Sequence, residues 1–131
     1  MSKAEIDSAI GAMDSRKNKY GVDLSGKGKE ARTYQGIVYH SKREMEVYRD
    51  WVEPQEHMGI IANVRRQVPF DLHVTTPGGF SVKIGTYKAD WTAHDRQGKL
   101  LILEAKGKPT ELYERTKKHF EAEYGLRITE L

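Results

Sequence analysis

The chain has 131 residues, one domain's worth, with 37% hydrophobic and 31% charged residues and a net charge of +3. No run approaches the roughly 18 apolar residues of a membrane helix, and Met1-Ser2-Lys3-Ala4-Glu5 lacks the apolar core of a signal peptide, so a cytoplasmic protein without a membrane partner is expected. Cysteine is absent, which excludes disulfides and thiolate metal sites, and five scattered histidines with no close pair make a zinc site hard to build. The mild basicity, pI about 9.0, is compatible with a polyanionic partner without establishing one. It is concentrated: Arg16, Lys17, Lys19, Lys27, Lys29, Arg32, Lys42, Arg43 and Arg49 stand against Asp23, Glu30, Glu44 and Glu46. That segment is either a solvated stretch or an arm that touches phosphates.

Taken in order, Ile6, Ala9, Ile10 and Met13 recur at helical spacing and predict a short amphipathic helix over residues 3–18. Residues 20–33 are rich in Gly and Lys and read as a flexible linker. The domain proper then runs from 34 to 131, after an N-terminal helix and basic linker over 1–33. Residues 34–40 read as a short strand or extended lead-in. Ser41 with Glu44 three residues on forms a capping box for a helix from Lys42 to His57, whose buried side carries Met45, Tyr48, Trp51 and Val52. Pro54 shortens or kinks it. Residues 60–74 read as extended, with Val64, Val68, Phe70, Leu72 and Val74 on one parity and Pro69 pointing to an edge or a bend. Thr75-Thr76-Pro77-Gly78-Gly79 is a turn, and residues 80–84 lead into a strand from Tyr87. Thr110 caps a helix from Glu111 to Tyr124 with Leu112, Thr116, His119 and Phe120 buried, Gly125 ends it, and residues 126–131 alternate as a last strand. The order predicts an α/β domain with a mixed sheet.

The chemistry is concentrated between Tyr87 and Gly107. Tyr87-Lys88-Ala89-Asp90-Trp91-Thr92-Ala93, the turn Asp95-Arg96-Gln97-Gly98-Lys99 and Leu100-Leu101-Ile102-Leu103-Glu104-Ala105-Lys106-Gly107 read as a β-hairpin. Alternation puts Glu104 and Lys106 on one face, and the short turn brings Asp90 toward it. A surface salt bridge is the plain alternative. An Asp, a Glu and a Lys converging at a sheet edge suit metal-dependent phosphodiester chemistry: a hard cation held by Asp90, Glu104 and the Ala105 carbonyl, with Lys106 positioning water and stabilising developing charge. Glu44, from the first helix, is available for a second cation or to orient water; the capping role alone also explains it. Lys42, Arg43, Gln67, Lys88 and Lys108 are candidate nucleic-acid contacts.

Asp90 followed by Glu104-Ala105-Lys106 resembles the PD-(D/E)XK nuclease superfamily, although Ala89 stands where the proline of that name would be. Tyr34-Gln35-Gly36-Ile37, Ser41-Lys42-Arg43-Glu44, Arg66-Gln67-Val68-Pro69-Phe70, Tyr87 to Trp91 and Glu104 to Gly107 are together similar to small phage-encoded, Holliday-junction-resolvase-like proteins of that superfamily. The resemblance spans residues 34–131. It implies a restriction-endonuclease-like α-β-β-β-α-β core with a mixed central sheet flanked by helices. It implies Asp90, Glu104 and Lys106 as catalytic, Glu44 as the helix-borne acidic residue, and Mg²⁺ or Mn²⁺ as cofactor. The expected activity is cleavage of DNA, branched or junction DNA above all, in the cytoplasm of a bacterial host. Junction resolution needs two coordinated cuts and so favours a homodimer, with the N-terminal helix as one contact. A nickase or DNA-end nuclease of the same fold, and a non-catalytic DNA-binding module, are the alternatives.

Overall fold

A computed structural model describes residues 25–131. The expected helix over residues 3–18, and the dimer contact assigned to it, lie outside those residues. The chain divides into two compact units, Met1–Trp51 and Val52–Leu131.

In the first unit, residues 26–31 are helical rather than a flexible linker. Ser25 caps α1 (Gly26–Ala31), its hydroxyl accepting the Gly28 N–H at 3.1 Å. One satisfied N–H at the helix start offsets the poor helix propensity of Gly26 and Gly28. The expected lead-in is a small hairpin of β1 (Thr33–Tyr34) and β2 (Ile37–Val38). Its two-residue turn, Gln35-Gly36, has φ of 51° and 79°, the doubly left-handed geometry that matches strand twist. Arg32 is buried, and its Nε donates to the Tyr39 carbonyl at 2.8 Å. Helix α2 (Lys42–Val47) is capped as the sequence predicts, by Ser41 Oγ accepting the Glu44 N–H at 3.0 Å.

The expected single helix from Lys42 to His57 is three consecutive pieces: α2, a π-helical turn over Tyr48–Val52, and α3 (Glu53–His57). Pro54 lies in the first turn of α3. It has no N–H to donate and its ring crowds the carbonyl four residues back, so a widened turn just ahead of it absorbs the mismatch. Met45, Val47 and Val52 are buried, whereas Tyr48 and Trp51 are half-buried.

The second unit is a mixed four-stranded sheet in the order β3-β4-β5-β6, with β3 (Ala62–Thr75), β4 (Ser81–His94), β5 (Leu100–Glu104) and β6 (Ile128–Glu130). The first two pairings are antiparallel and the last is parallel. Pro69 is accommodated because β3 is an edge strand. Residues 81–94 form one strand, not two pieces. Val74 departs from the expected buried parity: a register shift between Leu72 and His73 turns it outward, and it is 42% exposed. The β4–β5 turn is held by Asp95, whose Oδ1 accepts the N–H groups of Gln97 and Lys99, with Gly98 left-handed at φ 80°.

Helix α4 (Glu111–Tyr124) supplies the parallel crossover to β6. Thr110 caps it and Gly125, at φ 64°, closes it. Phe120 is the side chain it buries fully, within a cluster of Leu72, Tyr87, Ala89, Ile102 and Ile128. Its ring centroid lies 4.8 Å from Tyr87 and 5.0 Å from both Phe70 and Tyr124. Leu112, expected in this stripe, is 71% exposed, because α4 meets the sheet on the Phe120 side. The element order, helix, three strands, helix, strand in a mixed α/β fold, is the one expected. Among the described residues no helix is long and apolar enough to cross a membrane.

Because Phe120 fills the space between helix and sheet, Phe120→Ala is expected to lower the unfolding free energy by about 3–5 kcal/mol. A denaturant titration reads this as an early midpoint with an unchanged slope.

Candidate active site

The register of β4 and β5 assembles the site. His94 pairs with Leu100, and the ladder runs regularly to Trp91 and Leu103. One more step sets Asp90 against Glu104. There the backbone ladder gives way to side-chain bonds in both directions. Asp90 Oδ2 accepts the Ala105 N–H at 2.9 Å, and the Asp90 N–H donates to Glu104 Oε2 at 3.4 Å. Each acid therefore grips the backbone beside the other.

Two further donors orient the carboxylates. Tyr87 Oη donates to Glu104 Oε2 at 2.6 Å, and Gln67 Nε2 donates to Asp90 Oδ1 at 3.4 Å. Gln67 reaches its position through a left-handed backbone, φ 52°, which costs a non-glycine residue about 1–3 kcal/mol. The strain falls at a residue whose side chain meets Asp90, and it marks Gln67 as a site residue rather than a plain strand position.

Lys106 follows the ladder into the same corner. Leu131 N–H donates to the Glu104 carbonyl and Lys106 N–H to the Leu131 carbonyl, at 2.8 and 3.0 Å. This parallel pattern carries extended backbone through Ala105, so Glu104 and Lys106 keep the same parity. The Lys106 side chain is exposed. On the other flank Glu104 pairs with Glu130 of β6, and Glu130 Oε1 is hydrogen-bonded by Lys117 of α4. That carboxylate holds the Lys117 ammonium above its ordinary pKa.

Glu44 belongs to the first unit. It is 3% exposed, gives its N–H to the Ser41 cap, and lies 3.9 Å from His40 Nδ1. Lys42, also in that unit, lies 3.9 Å from Glu46. Lys88 and Lys108 are exposed in the second unit, Lys88 opposite Pro69 on the β3 side of the hairpin. Arg43 is exposed in the first. Within the second unit, then, Asp90, Glu104, Ala105 and Gln67 come together, Lys106 follows two residues on with its side chain exposed, and Lys88 and Lys108 are exposed as well.

Sequence patterning missed Tyr87, Tyr113 and Glu130. Tyr87 looks like one more apolar strand residue, yet its ring is in the core and its hydroxyl is on Glu104. Burial first, and the Glu104 carboxylate second, push the Tyr87 hydroxyl far above the ordinary 10.0. Tyr113, on the first turn of α4, is pushed up by the same causes in the same order.

The donor set suits a hard divalent cation. Two half-buried carboxylates, each oriented by neutral donors, meet at one strand end. Among the described residues no group of three or more Asp, Glu, His or Cys side chains forms a metal site.

The raised tyrosines fix a pH dependence. Above 10.0 the unfolded chain releases the Tyr87 proton and the folded protein keeps it. The stability contribution is therefore full below 10.0 and falls as pH rises beyond it, by up to about 1.4 kcal/mol per pH unit. Thermal unfolding followed upward through that pH is expected to show a steeper fall for the wild type than for Tyr87→Phe; equal slopes would contradict the assignment.

Comparison with curated proteins and with solved structures finds no match. Residues 26–129 match the model of a family described as a protein of unknown function, DUF1064, and the chain belongs to that family.

Proposed function

We propose that this protein is a metal-dependent endonuclease that hydrolyses phosphodiester bonds in DNA. The observation that carries the reading is the mutual grip of Asp90 and Glu104 at the end of β4 and β5, with Lys106 two residues on and on the same parity. The arrangement satisfies two backbone N–H groups, but serine or asparagine would do so without bringing two negative charges together. Like charges set opposite each other across two strands destabilise a sheet, and this pair draws on Tyr87 and Gln67 to be tolerated.

Asp90 and Glu104 would hold Mg²⁺ or Mn²⁺, with the Ala105 carbonyl as a further oxygen. When bound, the cation supplies charge neutralisation at phosphorus and a water made acidic enough to attack. The protein's own residues do the rest. Tyr87 and Gln67 fix the direction of the two carboxylates, so no side-chain freedom is lost on binding. The Lys106 ammonium is free to meet a phosphate oxygen, where it offsets charge that develops during attack. The resemblance to PD-(D/E)XK nucleases assigns the same three residues these roles and adds Glu44 as a helix-borne acid; the part of Glu44 rests on that resemblance alone. Preference for branched or junction DNA, and a dimer that cuts twice, likewise come from the resemblance.

The test is a Mg²⁺ and Mn²⁺ titration with plasmid, linear single-stranded DNA and a four-way junction. The wild type is expected to cut and to stop on chelation. Asp90→Ala, Glu104→Ala and Lys106→Ala are each expected to lose about 100-fold or more, the size of a several-kcal/mol loss of transition-state stabilisation. Symmetric nicks in the junction alone support resolution, whereas equal cutting of all three substrates removes the case for branch preference. If Asp90→Ala matches the wild type on every substrate, the catalytic reading is wrong.

A further inference from the structure

The sheet face that carries Asp90 also carries two exposed cations. Along β4, Lys88, Asp90 and Thr92 are two residues apart and share one face. Thr92 pairs across the ladder with Arg65, so Arg65 belongs to that face as well. The Gln67–Asp90 bond lies on the row between them and agrees with this placement. Lys88 and Arg65 therefore flank Asp90, each one strand repeat away, about 6.6 Å along β4. Both side chains are exposed. The position of Arg65 depends on a β-bulge that separates it from Ala62, with Asn63 left-handed at φ 54°. Counted from the Ala62–His94 pair without the extra residue, Arg65 would lie opposite Trp91, which is fully buried and alternates to the other face. Neither cation is used by the fold: among the described residues, neither side chain forms an ion pair or a hydrogen bond. Lys83, further out on the same strand, is by contrast held by Asp71 at 3.3 Å.

We propose that Arg65 and Lys88 bind the phosphates on either side of the one that is cut, so that a DNA strand runs along β4 across Asp90. The proposal rests on the nuclease reading and adds to it the path of the backbone. The arrangement decides the class of ligand. Cations on both sides of an acid suit a chain that carries anionic groups before and after its reacting centre, and one strand repeat is comparable to the spacing of successive phosphates. A structural ion pair would have brought Lys88 or Arg65 onto Asp90; the acid instead takes the neutral donors Gln67 and the Ala105 N–H. The Arg65 guanidinium can grip two phosphate oxygens at once, whereas the Lys88 ammonium acts as a point charge. Contacts of this kind position the strand and carry no base preference.

The test reads the salt dependence of binding, which counts phosphate contacts and which a purely structural role would not move. The full chain is titrated onto a fluorescein-labelled linear duplex and a labelled four-way junction, with Ca²⁺ in place of Mg²⁺, over a series of KCl concentrations. Arg65→Ala and Lys88→Ala are each expected to weaken binding about 3–10-fold and to reduce the slope of log K against log salt by about 0.9, and the double variant by about twice that. Arg65→Lys is expected to keep the slope while losing part of the affinity, because the charge stays and the two-oxygen grip goes. Thermal unfolding of each variant is expected to match the wild type, since both side chains are exposed. Lys83→Ala serves as the control and is expected to leave the slope unchanged. A wild-type slope in Arg65→Ala overturns the proposal, and Mg²⁺-dependent cutting by the wild type then leaves the nuclease reading standing. An equal fall in Lys83→Ala also overturns it, since the attraction would be diffuse. The expected slopes in a wild type that never cuts overturn the nuclease reading and keep the two phosphate contacts.

Discussion

The second unit is built around two carboxylates held against each other across an antiparallel strand pair. Asp90 and Glu104 face one another one step beyond the last regular pair of the β4–β5 ladder, Trp91 with Leu103. Left to themselves they would repel, and two backbone N–H groups would lose their ladder partners. Both problems have one solution: the Asp90 side chain takes the Ala105 N–H, and the Glu104 side chain takes the Asp90 N–H. The acids replace the ladder where it stops, so the site and the end of the sheet are one feature. This is also why the pair resists a purely structural explanation. A sheet can end on serines or asparagines without bringing two negative charges together.

The rest of the unit is arranged to keep that corner rigid. Tyr87 joins it to the core, with its ring packed against Phe120 and its hydroxyl on Glu104. Gln67 joins it to the edge strand at the cost of a left-handed backbone. Helix α4 closes the far side through Lys117 and Glu130, and it is tied to β3 as well: Glu123 accepts from His73, and the Tyr124 hydroxyl donates to the Asp71 carbonyl at 2.7 Å. The His73 contacts hold the Glu123 carboxyl below its ordinary range. Preorganisation of this kind is what the proposed metal-assisted chemistry would draw on.

Much of this was legible in the chain because it depends on local rules. Ser41, Thr110 and Gly125 mark helix ends through backbone groups within four residues of each cap. The hairpin follows from alternation and the Asp95 to Lys99 turn, and Pro69 signals an edge. Where the rules failed, a longer-range term decided. The stretch over 26–31 has too much Gly and Lys to be read as helix, yet one cap at Ser25 suffices. Leu112 fits the apolar stripe of α4 but faces outward, since the contact centres on Phe120. Pro54 announces a disturbance without revealing that a π-helical turn absorbs it.

Sequence alone determined the residue types and the two periods: an Asp, then a Glu and a Lys two apart at the end of an apolar strand, within a helix–strands–helix–strand order. Strand alternation is strict, so it placed Glu104 and Lys106 on one face without further information. Only the tertiary structure decided what surrounds them. The register that opposes Asp90 to Glu104, the left-handed backbone of Gln67 and the hydroxyl bond of Tyr87 join segments separated by up to 37 residues, Gln67 to Glu104. Contacts of that range are set by how a sheet and a helix close over a shared core, and no pattern within one segment records them.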